Sequence, residues 1–219
     1  MTQAAPSIDQ FLTWDFPLIP LGRRSKAPIA KGWQERRFER TDLGRGNIGT
    51  RAGETVNVDG RSGVLYILDF DSDDLACLKA MCRHFDLPRS TCVRTGGQHR
   101  GYHLFYLVDE PVRKSAGLAF HDAPIDIMGT GSFVVLPPSI VEREYRVLVG
   151  FDEITTLSAA HRARMDDELR RWGRLRRSLR KAADADERAT IAQDPDLNPA
   201  MRRHAREWQP AEPEPGTKN

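Results

Sequence analysis

The sequence predicts an α+β protein, in which an antiparallel sheet is combined with an N-terminal α/β module and followed by a basic C-terminal helical segment. Short β-rich runs alternate with glycine turns between residues 60 and 150, and one apolar run, Val64–Leu68, ends abruptly in carboxylates. From Ser158 to about Lys181 the apolar residues change to a helical period. We expect a main domain over residues 1–155, the basic helical segment over 156–183 and a mostly disordered tail over 184–219.

Composition limits the class of protein further. The 219 residues have room for one sizeable core with an appendage, and 39% are hydrophobic and 29% charged. No apolar run approaches the roughly 18 residues of a membrane-spanning helix, and the N-terminus has no signal-peptide pattern. Three cysteines without a Cys-x-x-Cys pair indicate neither a disulfide framework nor a zinc site. We therefore expect a cytoplasmic protein with no membrane partner. Because the net charge is only +2, a polyanion would have to bind a local basic patch.

The N-terminal residues predict a short helix over 7–16, a proline-restricted strand over 17–21 and then a basic loop. This loop, residues 22–33, contains Lys26 and ends in Trp33. Lysine and arginine supply charge and tryptophan a stacking face, so the loop suits phosphate or base contact, although a solvated loop with Trp33 buried is an equal alternative. Residues 47–53, which include Arg51, form a second glycine-bracketed piece whose amides could approach an anion.

The apolar run Val64–Leu68 follows turn-like residues 59–63 and predicts a buried strand that ends at Asp69 and Asp71. If the strand continues, these two carboxylates share a face and could hold one divalent cation or bridge two. Oxygen-only ligands favour Mg²⁺ or Mn²⁺. Asp73 and Asp74 are instead typical of the start of the next helix, which we expect to end near residue 85. A calcium loop would need glycine and glutamate where Asp74 and Ala80 stand, whereas an Asp-x-Asp transferase stays open.

Residues 91–108 read as a strand, a glycine-rich turn and a second strand, which is the pattern of a hairpin. His103 begins an apolar row on the second strand, and Arg94 and Arg100 flank the turn, which favours an anion site. Asp126 lies within a later strand pattern, before a glycine turn and the apolar residues 133–136. A carboxylate in a buried strand needs a partner or a cation, so Asp126 could complete a three-carboxylate site with Asp69 and Asp71. Residues 144–148 predict an edge strand.

The helical segment carries one apolar stripe and is otherwise basic. Residues 161–181 contain nine arginines and lysines against three acids, an excess that fits phosphate-backbone binding. Solvated arginines on a helix that docks on the core are an equal alternative. The DNA-binding candidates are Arg170, Arg171, Arg174 and Arg177. Beyond residue 182 the chain is polar. A last short helix before Trp208 is expected, and disorder is expected over Pro210–Gly216.

Several of these pieces, taken in order, resemble the primase-polymerase (Prim-Pol) branch of the archaeo-eukaryotic primase superfamily, found in replication proteins of plasmids, phages and mobile elements. The similarity spans residues 16–139. It rests on residues 17–21 with Lys26-x-Pro28 and Gly32-Trp33, on Asn47-Ile48-Gly49, on Asp69-x-Asp71, on Thr95-Gly96-Gly97 leading to His103, and on Ile125-Asp126 leading to Val134–Ser139.

The resemblance implies an RRM-like sheet with a two-metal nucleotidyl transfer centre. Asp69, Asp71 and Asp126 would hold two divalent cations, Mg²⁺ or Mn²⁺, and His103 would contact the phosphates of a nucleoside triphosphate. Further nucleotide-contact candidates are Lys26, Arg51, Arg94, Thr95, Gly97 and Arg100. The chain departs from the family pattern at Gly101, where many members have serine, and at Ile127-Met128, where many have a basic residue.

The implied activity is synthesis of a strand on single-stranded DNA, with template, primer and NTP or dNTP as partners and a helicase, in the same chain or a separate one, as a further partner. The expected setting is a bacterial or phage-infected cell. Two alternatives remain open: a non-catalytic nucleic-acid-binding replication module, and another Asp-x-Asp metal-dependent transferase or phosphatase.

Overall fold

The computed structural model describes residues 2–210. The strands are β1 (Leu18–Leu21), β2 (Asn47–Arg51), β3 (Thr55–Val58), β4 (Arg61–Phe70), β5 (Cys92–Arg94), β6 (Tyr102–Val108), β7 (Ser115–Phe120), β8 (Ala123–Met128), β9 (Phe133–Leu136), β10 (Arg146–Val149) and β11 (Thr155–Thr156). The helices are α1 (Ile8–Thr13), α2 (Leu75–His84), α3 (Ala159–Lys181), α4 (Ala185–Ile191) and α5 (Pro199–Glu207), with one 3₁₀ turn at Phe151–Glu153.

Within the described residues the main sheet has the strand order β10-β5-β6-β4-β8-β7, in which all neighbours are antiparallel. Strand β3 pairs with the start of β4, and β11 adds one short parallel pairing to β6. A second sheet, β1-β2-β9, is also antiparallel. The predicted α+β class is therefore confirmed, whereas the RRM-like character of the sheet stays a prediction.

The two faces of the main sheet bury different cores. One face packs against helices α2, α3 and α5 and carries Tyr66, Leu68 and Phe70 of β4. The other face packs against the small sheet and α1 and carries Leu65 and Ile67. Residues on both faces of β4 are thus buried from Leu65 to Leu68, which is why the central strand reads as a continuous apolar run rather than as an alternation.

Helix α3 forms where the sequence predicts it and buries the predicted apolar stripe. Its N-cap is Ser158, whose hydroxyl accepts a hydrogen bond from the amide of His161. The buried side chains of the helix are those of the predicted apolar stripe together with one glycine: Met165, Leu169, Trp172, Gly173, Leu175 and Leu179. This stripe docks on the helical face of the main sheet, so the helix is part of the core and the arginines occupy its remaining surface.

Two expectations about local structure were wrong. The residues expected to be a turn, 59–63, contain only a two-residue turn, because β4 already begins at Arg61 and pairs with the unpredicted strand β3. Asp59 and Gly60 both have positive φ, as a tight hairpin turn requires. The mostly disordered tail is also wrong for residues 185–207, which form α4 and α5. Met201 and Ala205, four residues apart, give α5 a buried face that its polar composition conceals.

The last helix ends before Trp208, whose indole Nε1 donates a hydrogen bond to Asp122 Oδ1 over 2.9 Å. The short helix expected before Trp208 is therefore present. The segment expected to be disordered, Pro210–Gly216, lies outside the described residues except for Pro210. Across residues 2–210, no helix combines the length and the apolar character needed to cross a membrane.

Candidate active site

Three adjacent strands of the main sheet bring two acids and a histidine into one row. Asp69 on β4 lies directly opposite His103 on β6 and directly opposite Asp126 on β8. Residues opposite one another in antiparallel strands share a face, so the three side chains emerge on the same side of the sheet. Asp71 follows β4 by one residue, and its amide donates to the carbonyl of Pro124 over 3.0 Å, which keeps it beside β8. The structure therefore brings all four of these residues together at one edge of the sheet.

The charges of this row act on one another. The pKa of Asp71 is raised, first by partial burial and then by the negative charges of Asp69 and Asp126, with His99 and Lys26 opposing. Burial also works to raise the pKa of Asp69, but His103 and Lys26 outweigh it, and the net pKa lies below the ordinary value. His103 Nε2 is 3.4 Å from Asp69 Oδ1. The opposite ring nitrogen, Nδ1, is buried and has no hydrogen-bond partner among the described residues.

The row fits a divalent cation by its chemistry. Carboxylates that lie close together repel one another, a bound cation relieves this repulsion, and an oxygen-only donor set suits Mg²⁺ or Mn²⁺. As the side chains stand, no group of three or more His, Cys, Asp or Glu residues within 2–210 converges on a single point as a chelating cluster. The fit therefore rests on the carboxylates' common edge and mutual repulsion.

A glycine-rich loop, residues 95–101, closes over the same edge. Thr95 fixes its ends: the Thr95 amide donates to the Gly101 carbonyl over 2.9 Å, and the Gly101 amide donates to Thr95 Oγ1 over 2.8 Å. At Gly97 a Cβ atom would lie 2.8 Å from Lys26 Nζ, so the absence of a side chain lets the ammonium approach the loop. Because Lys26 also acts on the pKa of Asp69 and Asp71, the basic loop, the glycine loop and the acids form one site.

The position where the chain departs from the family pattern has a steric explanation. Gly101 packs directly on the backbone at the end of β4, and an added Cβ would overlap the carbonyl oxygen of Phe70 and lie 3.2 Å from the Cα of Asp71. Any larger residue, serine included, would push against the strand that carries the acids. In this chain the hydroxyl expected from the family is therefore replaced by close backbone contact.

Arginines surround the far side of the glycine loop. Arg94 forms an ion pair with Asp73 and lies 6.0 Å from the ring centre of Tyr102. Together with Arg100 and two arginines that the sequence analysis missed, it lines a cavity of about 150 Å³. The missed residues are Arg143 and Arg146, and Arg146 lies directly opposite Arg94 in the β5–β10 pairing. Like charges opposite one another are unfavourable unless an anion or an acid intervenes.

Arg51 is not brought to the acids. Its guanidinium is buried, and Nη1 donates to the carbonyls of Trp33, Gln34 and Arg36 over 3.2, 3.1 and 2.8 Å. Nε lies 3.5 Å from Glu54 Oε1. The structure uses this side chain to hold the basic loop against β2, rather than pointing it toward the nucleotide side predicted from the sequence.

The arginines of α3 divide into different environments. Arg170, Arg171 and Arg174 are exposed, and Arg171 pairs with Asp167 over 2.8 Å. Arg177 instead donates to a main-chain carbonyl of β7. Arg176, which the sequence analysis did not select, is half-buried; burial and Arg180 lower its pKa, while Asp122 and Asp71 oppose this. Asp71 of the acid row is thus among the charges that act on the pKa of Arg176. Its place beside the apolar stripe of α3 was the only signal for it.

The fold and this edge define an α+β protein in which carboxylates, a histidine and two basic loops lie together at one edge of an antiparallel sheet. The model of the Prim-Pol family, described as bifunctional DNA primase/polymerase, N-terminal, matches residues 10–160, and the chain belongs to this family. A search of curated proteins found no match. The match includes every member of the acid row and both loops, and family membership indicates a nucleotidyltransferase of the primase/polymerase kind.

Proposed function

We propose that this protein synthesises a nucleic-acid strand on a single-stranded DNA template. The observation that carries the proposal is the row of Asp126, Asp69 and His103 on three adjacent strands, with Asp71 beside it, inside the family-matched region. Carboxylates gathered at one edge next to a basic loop suit a substrate that brings both cations and phosphates. Template, primer and nucleoside triphosphate are the partners that this activity requires.

Each residue of the row has a role that follows from its chemistry. Asp69, Asp71 and Asp126 would hold Mg²⁺ or Mn²⁺, which when bound supplies Lewis-acid activation of the attacking hydroxyl and neutralises charge on pyrophosphate. His103 Nε2 lies 3.4 Å from Asp69 Oδ1 at the acid row, and Lys26 places an ammonium beside the glycine loop. Both side chains would bind the triphosphate and orient its α-phosphorus toward a 3′-hydroxyl. The hydroxyl oxygen forms the new P–O bond as the bond to pyrophosphate breaks.

The arginine cavity beside the glycine loop would bind phosphates of the template or primer. Arg100 and Arg143 line it without an acid within ion-pair distance among the described residues, whereas Arg94 and Arg146 are each paired with one. The exposed α3 arginines, Arg170 and Arg174, would add a more distant phosphate contact. Binding of this type weakens steeply with salt because it releases counterions.

The test is incorporation of labelled nucleotide on single-stranded DNA, with and without an annealed primer, in Mg²⁺ and in Mn²⁺. The wild type is compared with Asp69→Ala/Asp71→Ala, with Asp126→Asn, and with Asp109→Asn as a control at an exposed acid at the other end of β6. The incorporation rate of the site variants should fall by more than about 100-fold, which is the most that removal of an outer partner of a metal ligand typically costs. The control should keep wild-type activity.

Each outcome has a definite meaning. Product without a primer would make the protein a primase, and product only with a primer would make it an extending polymerase. Product that does not depend on the template would favour another Asp-x-Asp transferase. No product from the wild type, with metal-independent and salt-sensitive DNA binding, would refute the proposal in favour of a non-catalytic binding module.

A further inference from the structure

Strand β7 contains a bulge directly opposite one of the acids. Ser115 pairs with Ile127 and Leu118 pairs with Ile125, so two residues of β7, Ala116 and Gly117, face the single residue Asp126 on β8. Gly117 has φ +72°, which a side chain would disfavour. Its amide donates to Asp126 Oδ1 over 3.1 Å. The bulge therefore turns a main-chain donor away from the sheet ladder and toward the carboxylate of Asp126.

Helix α3 holds the same bulge from outside. Arg177 Nη1 donates to the carbonyl oxygen of Gly117 over 2.6 Å. One turn earlier, Gly173 is buried against the bulge: a Cβ atom there would overlap the Gly117 carbonyl oxygen and lie 3.0 Å from the Cα of Leu118. Gly117 thus contacts α3 through its carbonyl and Asp126 through its amide. A shift of the helix by a fraction of an ångström would move the donor that orients the carboxylate.

We infer that α3 positions Asp126 through Gly117, and that Arg177 and Gly173 are positioning residues for the cation site rather than contacts for DNA. With one carboxylate oxygen held by the Gly117 amide, the rotation of the Asp126 carboxylate is restricted. Outer hydrogen-bond partners of this kind orient metal ligands and raise affinity. The inference rests on the proposed function only in that Asp126 is taken to bind the cation.

The experiment measures Mn²⁺ binding to the full chain by isothermal titration calorimetry and by electron paramagnetic resonance, without nucleotide or DNA. The variants are Arg177→Ala, Arg177→Lys and Gly173→Ala. The matched control is Arg164→Ala, which removes the same charge from an exposed position of the same helix. We expect Mn²⁺ affinity to fall about 3- to 10-fold in Arg177→Ala and Gly173→Ala, less than the roughly 10- to 100-fold typical of direct outer partners, because both residues act through Gly117. Arg177→Lys should recover part of the loss, and Arg164→Ala should show none.

A double-variant cycle separates positioning from a general structural effect. In an Asp126→Asn background, Arg177→Ala should weaken Mn²⁺ binding no further, because the carboxylate that it orients is gone. Thermal unfolding is measured in parallel. A fall in melting temperature with unchanged Mn²⁺ affinity would overturn the inference, and if Gly173→Ala does not fold, Arg177→Ala decides.

Single-stranded DNA binding provides the competing outcome. If Arg177→Ala weakens DNA binding clearly more than Arg164→Ala while Mn²⁺ affinity stays at the wild-type value, Arg177 is a DNA contact and the inference is wrong. If the wild type binds Mn²⁺ and every variant matches it, the inference fails while the proposed function stands. If the wild type itself binds no Mn²⁺, the inference and the proposed cation site both fail.

Discussion

Replacing Gly101 by alanine tests how the glycine loop and the acids are joined. Gly101 is the last residue of the glycine loop before β6, and an added Cβ there would overlap the Phe70 carbonyl oxygen at the end of β4 and lie 3.2 Å from the Cα of Asp71. Ordinary Cβ contacts lie at 3.4 to 4 Å. The two backbones would therefore have to separate by about 1 Å, in the range where overpacking distorts a buried structure.

Two effects of different size follow. Overpacking of this kind costs about 1–3 kcal/mol of unfolding free energy, which in a chain of this length lowers the melting temperature by roughly 2–4 °C per kcal/mol. Displacement of a reacting group by about 1 Å can cost on the order of 100-fold in rate. Because the displaced backbone carries Asp71, we expect the loss of nucleotide incorporation to exceed anything that the loss of stability explains.

The assay is primer extension at saturating nucleotide, at a temperature where both proteins are folded, together with thermal unfolding. Gly60→Ala is the control. Gly60 lies in the β3–β4 turn at the other end of β4 and has open space around it, so an alanine there is disfavoured only by the φ of +82°. It should lose stability and keep its extension rate. An unchanged extension rate in Gly101→Ala, with or without loss of stability, would refute the coupling between this contact and the position of Asp71.

Two other predictions follow from buried charged groups. Arg51→Ala should lower the unfolding free energy by about 2–4 kcal/mol, because three carbonyls within residues 33–36 lose their donor, and should leave the KM for nucleotide unchanged. Denaturant unfolding and steady-state kinetics check both, and a raised KM with wild-type stability would restore the nucleotide-contact role. The pKa of His121 is lowered, first by burial and then by His204 and His84, while Asp122 opposes the change. Below pH about 6.5 the unfolded chain therefore binds a proton at His121 more readily than the folded chain does. Stability should therefore fall as the pH drops from 7.5 to 5.5, and less so in His121→Gln; an equal fall in both proteins, measured by urea unfolding, would contradict this.

The features that could be predicted from the sequence are those encoded by a local pattern of residues. The stripe of α3 has a helical period over about four turns, and the run in β4 is apolar at every position because both faces of that strand are buried. The acids were found because a carboxylate at the end of a buried strand is costly without a partner. The antiparallel register then brings Asp69, His103 and Asp126 together, because the three residues lie opposite one another on paired strands.

Contacts between residues distant in the sequence could not be predicted from local patterns. Nothing near Arg51 in the chain indicates that its partners are the carbonyls of residues 33–36, and the family pattern suggested a ligand instead. Arg143 lines the arginine cavity because its loop packs on the glycine loop, with the Arg143 carbonyl against Gly96. The bulge at Gly117 depends on a register shift between two strands, and register is set by pairing rather than by either strand alone. Each of these features is fixed by a partner distant in sequence.

The position of α3 relative to the family-matched residues carries a structural consequence. The match ends at residue 160, yet the core of the main sheet continues into Met165, Leu169 and Trp172, which are fully buried against the strands that precede them. Burial of the tryptophan side chain alone removes about 150–250 Å² from water, a stabilisation of roughly 4–6 kcal/mol at 25 cal/mol per Å². A boundary drawn at residue 160 would expose the helical face of the sheet and release the carbonyl of Gly117. The segment that appears in the sequence as a basic appendage is therefore needed for the stability of the sheet that presents the acids.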